Sequence, residues 1–223
     1  MPHPVTRIHA LELGPMENFV YLIEDTATRQ TAVVDPAWEV DAIIQKAEQL
    51  DLTITDILLT HSHHDHINGI EGVLNHGDAR VHLLKPEYEF WSHELDKPEL
   101  HHGGERIQIG KTEIQMLHTP GHTPGSCCYQ TGNELITGDT LFVYGCGRCD
   151  LHGGDPLKMF NTLRDMKSTL DPNMVIHPGH NYSVVETTTL SDQFEGNPFM
   201  HFEDEAAFTH YRMDVHDKTR SDP

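Results

Sequence analysis

Thr60-His61-Ser62-His63-His64-Asp65-His66 decides how the chain is read. It follows the apolar run Ile57-Leu58-Leu59, which reads as a buried strand, and precedes Ile67-Asn68-Gly69-Ile70, where a helix can begin. Neutral imidazole nitrogen and carboxylate oxygen are the ligands that suit zinc, iron or manganese. In extended backbone, side chains two residues apart share a face, so His61 and His63 can close on one ion. If the chain then turns into helix, Asp65 and His66 are presented to a neighbouring point, a place for a second ion. With 19 His in 223 residues, some clustering arises by chance. The mixture of ligand types at a strand-to-helix connection is what argues for a metal centre.

Three further places repeat the arrangement, a metal-binding side chain just past a strand in Gly- and Pro-rich backbone. They are Thr119-Pro120-Gly121-His122-Thr123-Pro124-Gly125, Thr137-Gly138-Asp139-Thr140 and Pro178-Gly179-His180-Asn181-Tyr182. Glycine lets the backbone bend sharply and approach closely. Ligands converging from several strand ends match where α/β proteins place their sites. Each segment alone is an ordinary turn; together, and in this order, they are specific.

Around these segments the chain reads as scaffold. Residues 5–11, 18–24 and 31–35 are expected strands, and Val34-Asp35-Pro36 closes the third. Asp35 is either a group behind a ligand or a strand-ending Asx turn. Trp38 to Leu50 carries a helical apolar stripe, followed by a strand over 56–60, a short helix over about 69–75 and a strand from Arg80 to Leu84. Residues 85–104 read as a loop or short helix; His93, His101 and His102 lie there without a partner pattern and are left out of the site. Segments 106–109 and 113–117, then 127–130 and 134–137, alternate as antiparallel pairs. Pro156 to Leu170 is an amphipathic helix, with Leu157, Phe160, Leu163, Met166 and Leu170 on one side and Asp155 as its cap. Met174-Val175-Ile176 is a last strand. The Thr/Asp/Glu-rich tail holds a helix from about Asp204 to Tyr211 and frays from Asp214.

The length fits one domain over 1–223. A formal charge of −20 opposes a nucleic-acid backbone or an anionic membrane surface as partner. It does not oppose a small anion met by metal ions and local cations. No segment approaches the roughly 20 apolar residues that span a bilayer. Met1-Pro2-His3-Pro4 lacks the layout of a signal peptide, so a cytoplasmic location is expected. Cys127 and Cys128 read as packing residues of a strand. Cys146-Gly147-Arg148-Cys149 has a C-x-x-C spacing, yet no second such pair and no thioredoxin-like context accompany it, so it reads as structural or pocket cysteines.

The four segments together resemble the metallo-β-lactamase superfamily, over roughly residues 5–185. The resemblance implies an α/β (α+β) fold, a four-layer αββα sandwich of two mixed sheets flanked by helices, with residues 186–223 as a short tail. It implies two divalent metal ions, zinc first and iron or manganese otherwise. His61, His63 and His122 match the first ion's ligands, Asp65, His66 and His180 the second's, and Asp139 the bridging carboxylate. Asp65 and Asp139 are thereby the expected catalytic carboxylates, around a water activated between the ions. Within the superfamily, Thr137-Gly138-Asp139-Thr140-Leu141-Phe142 with Gly145-Cys146-Gly147-Arg148, and Gly179-His180-Asn181-Tyr182, are similar to the glyoxalase II group, which hydrolyses S-acylglutathione thioesters. That likeness implies a small, glutathione-linked thioester substrate, with Arg148 and Tyr182 touching it. Two departures bear on it. Only 41 residues follow Tyr182, too few for the helical C-terminal domain of long-form enzymes. Cys149-Asp150 and Asn197-Pro198 also bring the chain close to the persulfide dioxygenases, which use one iron held by two His and an Asp. Lactone or phosphoester hydrolysis on the same dinuclear site, and metal binding without turnover, are the other expectations.

Overall fold

The computed structural model describes residues 6–92 and 95–216. His93, the N-terminal Met1–Pro4 and the last residues of the tail (217–223) lie outside them.

The second strand fixes the layering. β1 (Thr6–Leu13) and β2 (Asn18–Asp25) form an antiparallel hairpin, and every residue of β2 is buried. A strand buried on both faces must be covered on both. Val20 and Leu22 enter one apolar cluster and Phe19, Tyr21 and Ile23 another, as the two-residue alternation of a strand requires. β3 (Gln30–Val34) pairs antiparallel with β2. β4 (Thr53–Leu58), β5 (Arg80–Leu84) and β6 (Glu99–His101) then continue the sheet in parallel, in the order β1-β2-β3-β4-β5-β6.

Helices α1 (Val40–Gln49), α2 (His64–Ile67), α3 (Ile70–Leu74) and α4 (Lys85–Trp91) belong to the crossovers of this first sheet. Ile43 and Ala47 of α1 and Ile70 and Val73 of α3 cover its outer face. The second sheet contains β7 (Arg106–Ile109), β8 (Thr112–His118), β9 (Cys127–Thr131) and β10 (Glu134–Gly138). A small ribbon follows, β11 (Leu141–Phe142) with β12 (Gly145–Cys146). β13 (Val175–Pro178) and β14 (Thr188–Thr189) complete the second sheet, ordered β14-β13-β10-β9-β8-β7. Only β10 and β13 pair in parallel there.

Phe19, Tyr21, Ile23, Val34 and Leu58 of the first sheet meet Ile109, Ile114, Met116, Cys127 and Tyr129 of the second in the central core. On the far side, Cys128, Leu135 and Ile176 pack against Met159, Phe160, Leu163 and Met166 of α5 (Pro156–Thr169). The layers therefore run helix, sheet, sheet, helix, the expected sandwich. Asp155 caps α5 by accepting from the Leu157 and Lys158 amides at 2.9 and 3.1 Å. Leu157, expected on the apolar side, is instead 47% exposed, because it sits in the first turn beyond the reach of the sheet.

Two expectations are corrected here and one is met. Residues 85–104 hold both α4 and the edge strand β6, formed because β5 offers an open parallel edge. The helix expected in the tail is present as α7 (Glu205–His210), and with α6 (Leu190–Gly196) and the 3₁₀ turn Pro198–Met200 it sends Leu190, Phe199, Met200 and Phe208 into the α5 cluster. Fraying does not begin at Asp214, since Tyr211–His216 continues α7 as a π-helix. Among the described residues no helix is long and apolar enough to cross a membrane.

Candidate metal centre

Four chain reversals at one edge of the sandwich deliver the candidate side chains. β4 ends at Leu58, the chain runs extended to His63, and α2 begins at His64. His122 lies between β8 and β9, Asp139 follows β10, and His180 follows β13. The amide of Cys127 donates to the Thr60 carbonyl at 2.8 Å, bringing the second sheet onto the first motif.

All seven predicted side chains meet there. His61, His63 and His122 form one group whose ligand atoms lie within 4.8 Å of one another, and Asp65, His66 and His180 form a second. Each group draws members from both sheets. Asp139 stands between them: Oδ2 is 3.5 Å from His122 Nε2 and 3.4 Å from His180 Nε2, and Oδ1 is 3.4 Å from His66 Nε2. Gly179 makes this approach possible, since a Cβ there would stand 2.2 Å from Asp139 Oδ1. His64, the remaining histidine of the motif, joins neither group and turns its ring edge towards Trp38.

The rings are oriented for ligation. The Nδ1 atoms of His122 and His180 lie 2.8 Å from the carbonyls of Arg148 and Met16, so both must donate. His66 Nδ1 is 3.0 Å from Asp35 Oδ2, and His61 Nδ1 is 3.0 Å from the Thr60 hydroxyl, which itself donates to Asp35. Nδ1 is thus engaged on four histidines, leaving Nε2 for the cavity, the arrangement that metal-ligating histidines adopt. Of Asp35's two sequence readings, the group behind a ligand is the one found. Among the described residues, His61 Nε2, His122 Nε2 and Asp139 Oδ1 are buried with no hydrogen-bond partner. Buried polar atoms without partners are costly, and a divalent cation would satisfy all three. The donor set suits a dinuclear divalent-metal centre.

Charge divides the two groups. Burial, then neighbouring imidazoles, hold His61 well below the usual histidine range, and burial pushes His122 down to about 4. His63 is also lowered, chiefly by burial. At His66, burial opposes the cation, but Asp139, then Asp35 and Asp65, outweigh it and raise the group well above its usual range. His180 is raised in the same way by Asp139 against burial. For Asp139, burial is outweighed by His180 and His66, and the carboxyl lies well below its normal range.

The centre floors a cavity of about 670 Å³, a size suited to a small ligand. Met16, Phe142 and Leu151 supply apolar wall; Arg148, Tyr182, Arg212 and His216 supply polar wall. Arg148 reaches the cavity but is paired to Asp150 through two bonds of 2.8 and 2.6 Å. That pairing leads the causes holding the Asp150 carboxyl down at about 2. Tyr182 stacks on His180 at 4.6 Å with 9° between the planes. All four cysteines are buried thiols, Cys146 at the cavity wall and Cys149 pushed by burial up to about 12.

Sequence reasoning missed Asn18, Glu87, Arg212 and His216. Asn18 donates to Asp65 Oδ2 at 2.9 Å and accepts from Trp38 Nε1 at 2.8 Å, so it holds the carboxylate in place. No local pattern marks these residues; for Arg212 the signal was available only as a basic residue in a largely acidic tail.

The profile of the metallo-beta-lactamase superfamily matches residues 13–180. The chain belongs to that superfamily. Among similar curated proteins is the probable polyketide biosynthesis zinc-dependent hydrolase PksB of Bacillus subtilis, 33% identical, the match covering 87% of each chain. The hydroxyacylglutathione hydrolase of Aeromonas hydrophila is 32% identical over 82% of this chain but only 66% of its own. Among solved structures, ETHE1 from Myxococcus xanthus superposes with a TM-score of 0.85 at 30% identity, covering 94% of this chain and 91% of that one. This superfamily member is a metal-dependent hydrolase with a candidate dinuclear centre.

Proposed function

We propose that the chain hydrolyses a small acyl thioester, with His61, His63 and His122 holding one divalent ion, Asp65, His66 and His180 a second, and Asp139 between them. The observation that carries this is the place of Asp139, within 3.5 Å of histidines of both groups. Ions so held supply Lewis acidity and a water activated at neutral pH. The chain's own part is to fix their spacing through Asp139 and to lead the acyl group along Met16, Phe142 and Leu151 towards the floor of the cavity. A thiolate departs without a proton from the protein, so no dedicated acid is needed. Arg148 and Tyr182 are proposed to contact the thiol portion from the polar wall. The similarity to PksB, described as a probable zinc-dependent hydrolase, supports zinc and hydrolysis. Glutathione as the thiol has weaker support, because the chain spans 66% of the Aeromonas enzyme against 87% of PksB.

A second reading, persulfide oxygenation at a single iron, is favoured by one observation. The three buried atoms of the centre without a hydrogen-bond partner, His61 Nε2, His122 Nε2 and Asp139 Oδ1, make up a two-histidine, one-carboxylate set, the type found in non-haem iron oxygenases. The likeness to ETHE1 over nearly the whole chain supports it too. Metal analysis with two assays separates the readings. Two ions per chain and thiol release from an acyl-thioester panel that includes S-lactoylglutathione are expected, with Asp139→Asn lowering turnover far more than substrate affinity. One iron per chain, with oxygen uptake on glutathione persulfide and no thioester turnover, would replace the first reading with the second.

A further inference from the structure

Glu87, in the first turn of α4, is a carboxylate buried to 1% exposure, and all four of its hydrogen bonds go to the two loops that carry the first histidine group. Oε1 accepts from the amide and the hydroxyl of Ser62, at 2.7 and 2.6 Å; Ser62 is the residue between His61 and His63. Oε2 accepts from the Thr123 hydroxyl at 2.7 Å and the Gly125 amide at 2.9 Å, in the loop that begins at His122. Every contact is a donor, so the carboxylate is matched on both oxygens. The backbone is equally close: a Cβ at Gly125 would stand 2.1 Å from the Glu87 nitrogen. By contrast, Asp35 and Asn18 serve His61, His66 and Asp65, and neither reaches the His122 loop through a hydrogen bond.

We infer that Glu87 is a positioning residue that clamps the His61–His63 loop to the His122 loop at the separation one metal ion requires. The ring centroids it controls are 4.8 Å apart for His61–His63, 4.8 Å for His61–His122 and 4.5 Å for His63–His122. One side chain spans two loops from different sheets, and its hydrogen bonds all go to the loops of the first group. Glutamine cannot replace it. Its amide nitrogen would face either the Ser62 or the Gly125 N–H, and a backbone N–H cannot turn to accept.

The inference rests on the proposal that His61, His63 and His122 hold a metal, and the test keeps the two apart. Zinc affinity is measured by chelator competition in two backgrounds: His180→Ala, which leaves the first group whole, and His63→Ala, which leaves the second. Glu87→Gln is expected to weaken zinc 10- to 100-fold in the first background, the usual cost of losing a partner behind a ligand, and less than about 2-fold in the second. Equal losses in both backgrounds, or none in the first, overturn the inference while leaving the metal reading standing. Absence of zinc binding by the unmodified chain overturns both. Should Glu87→Gln not fold, Ser62→Ala combined with Thr123→Val removes two of the four donors and decides on the same criterion.

Discussion

At the scale of single residues, the centre holds two histidine groups whose pKa values are displaced in opposite directions. His61, His63 and His122 are neutral near pH 7 and already in ligand form, whereas His66 and His180 carry raised pKa values. A raised pKa means that a proton competes with the metal, so affinity at the second group rises with pH above about 6.5, the ordinary histidine value. A lowered pKa has the reverse sign: affinity at the first group is flat above that value and is lost as pH falls below it, His122 taking its proton near about 4. Calorimetry at pH 7 in buffers of different ionisation enthalpy should therefore detect proton release with His63→Ala, where only the second group loads, and almost none with His180→Ala. Equal release in both variants would contradict the assignment of charge. The ligand-type residues were legible in the sequence because four cluster in residues 60–66 just past a strand and the other three each follow a glycine just past a strand. Glu87 was not, because its partners lie 25, 36 and 38 residues away and nothing local announces them.

At the scale of elements, α5 stands behind the His122 loop. The backbone amide of Asp155 donates to Gly121 at 2.8 Å, while its side chain caps the helix. Asp155→Ala removes the cap and keeps the amide. Stability is expected to fall by about 1 kcal/mol in urea unfolding, with zinc affinity unchanged; a matching loss of zinc would mean that the side chain reaches the centre. Long elements with a strong period were readable: β5 spans Arg80–Leu84 as expected, and α5 ends one residue short of the expected Leu170. Short ones were not. β6 has three residues, none of them buried, and exists because β5 presents an edge to it. α6 did carry a readable mark, the capping box in which Thr189 and Asp192 bond to each other's backbone amides.

At the scale of the whole molecule, the tail's helix was readable but the burial of its aromatic residues was not, because charged residues are spread among the apolar ones there. Phe199 and Phe208 are 2% and 0% exposed and meet Phe160 of α5 and Tyr211 in a continuous cluster of tilted and edge-on rings. The layering itself was legible only through the family resemblance, since alternation in β2 reveals two covered faces but not what covers them. Each histidine group takes its members from both sheets, so any cation seated there acts as a rivet between the halves of the sandwich. A ligand that binds only the folded chain adds about 2.7 kcal/mol of stability at a hundred times its dissociation constant. Chelation should accordingly lower the thermal midpoint, by an amount that grows with the zinc concentration it opposes; an unmoved midpoint would show that the halves hold without it. Mineral scarcity would then do more than idle this enzyme: it would loosen its frame and expose it to proteolysis.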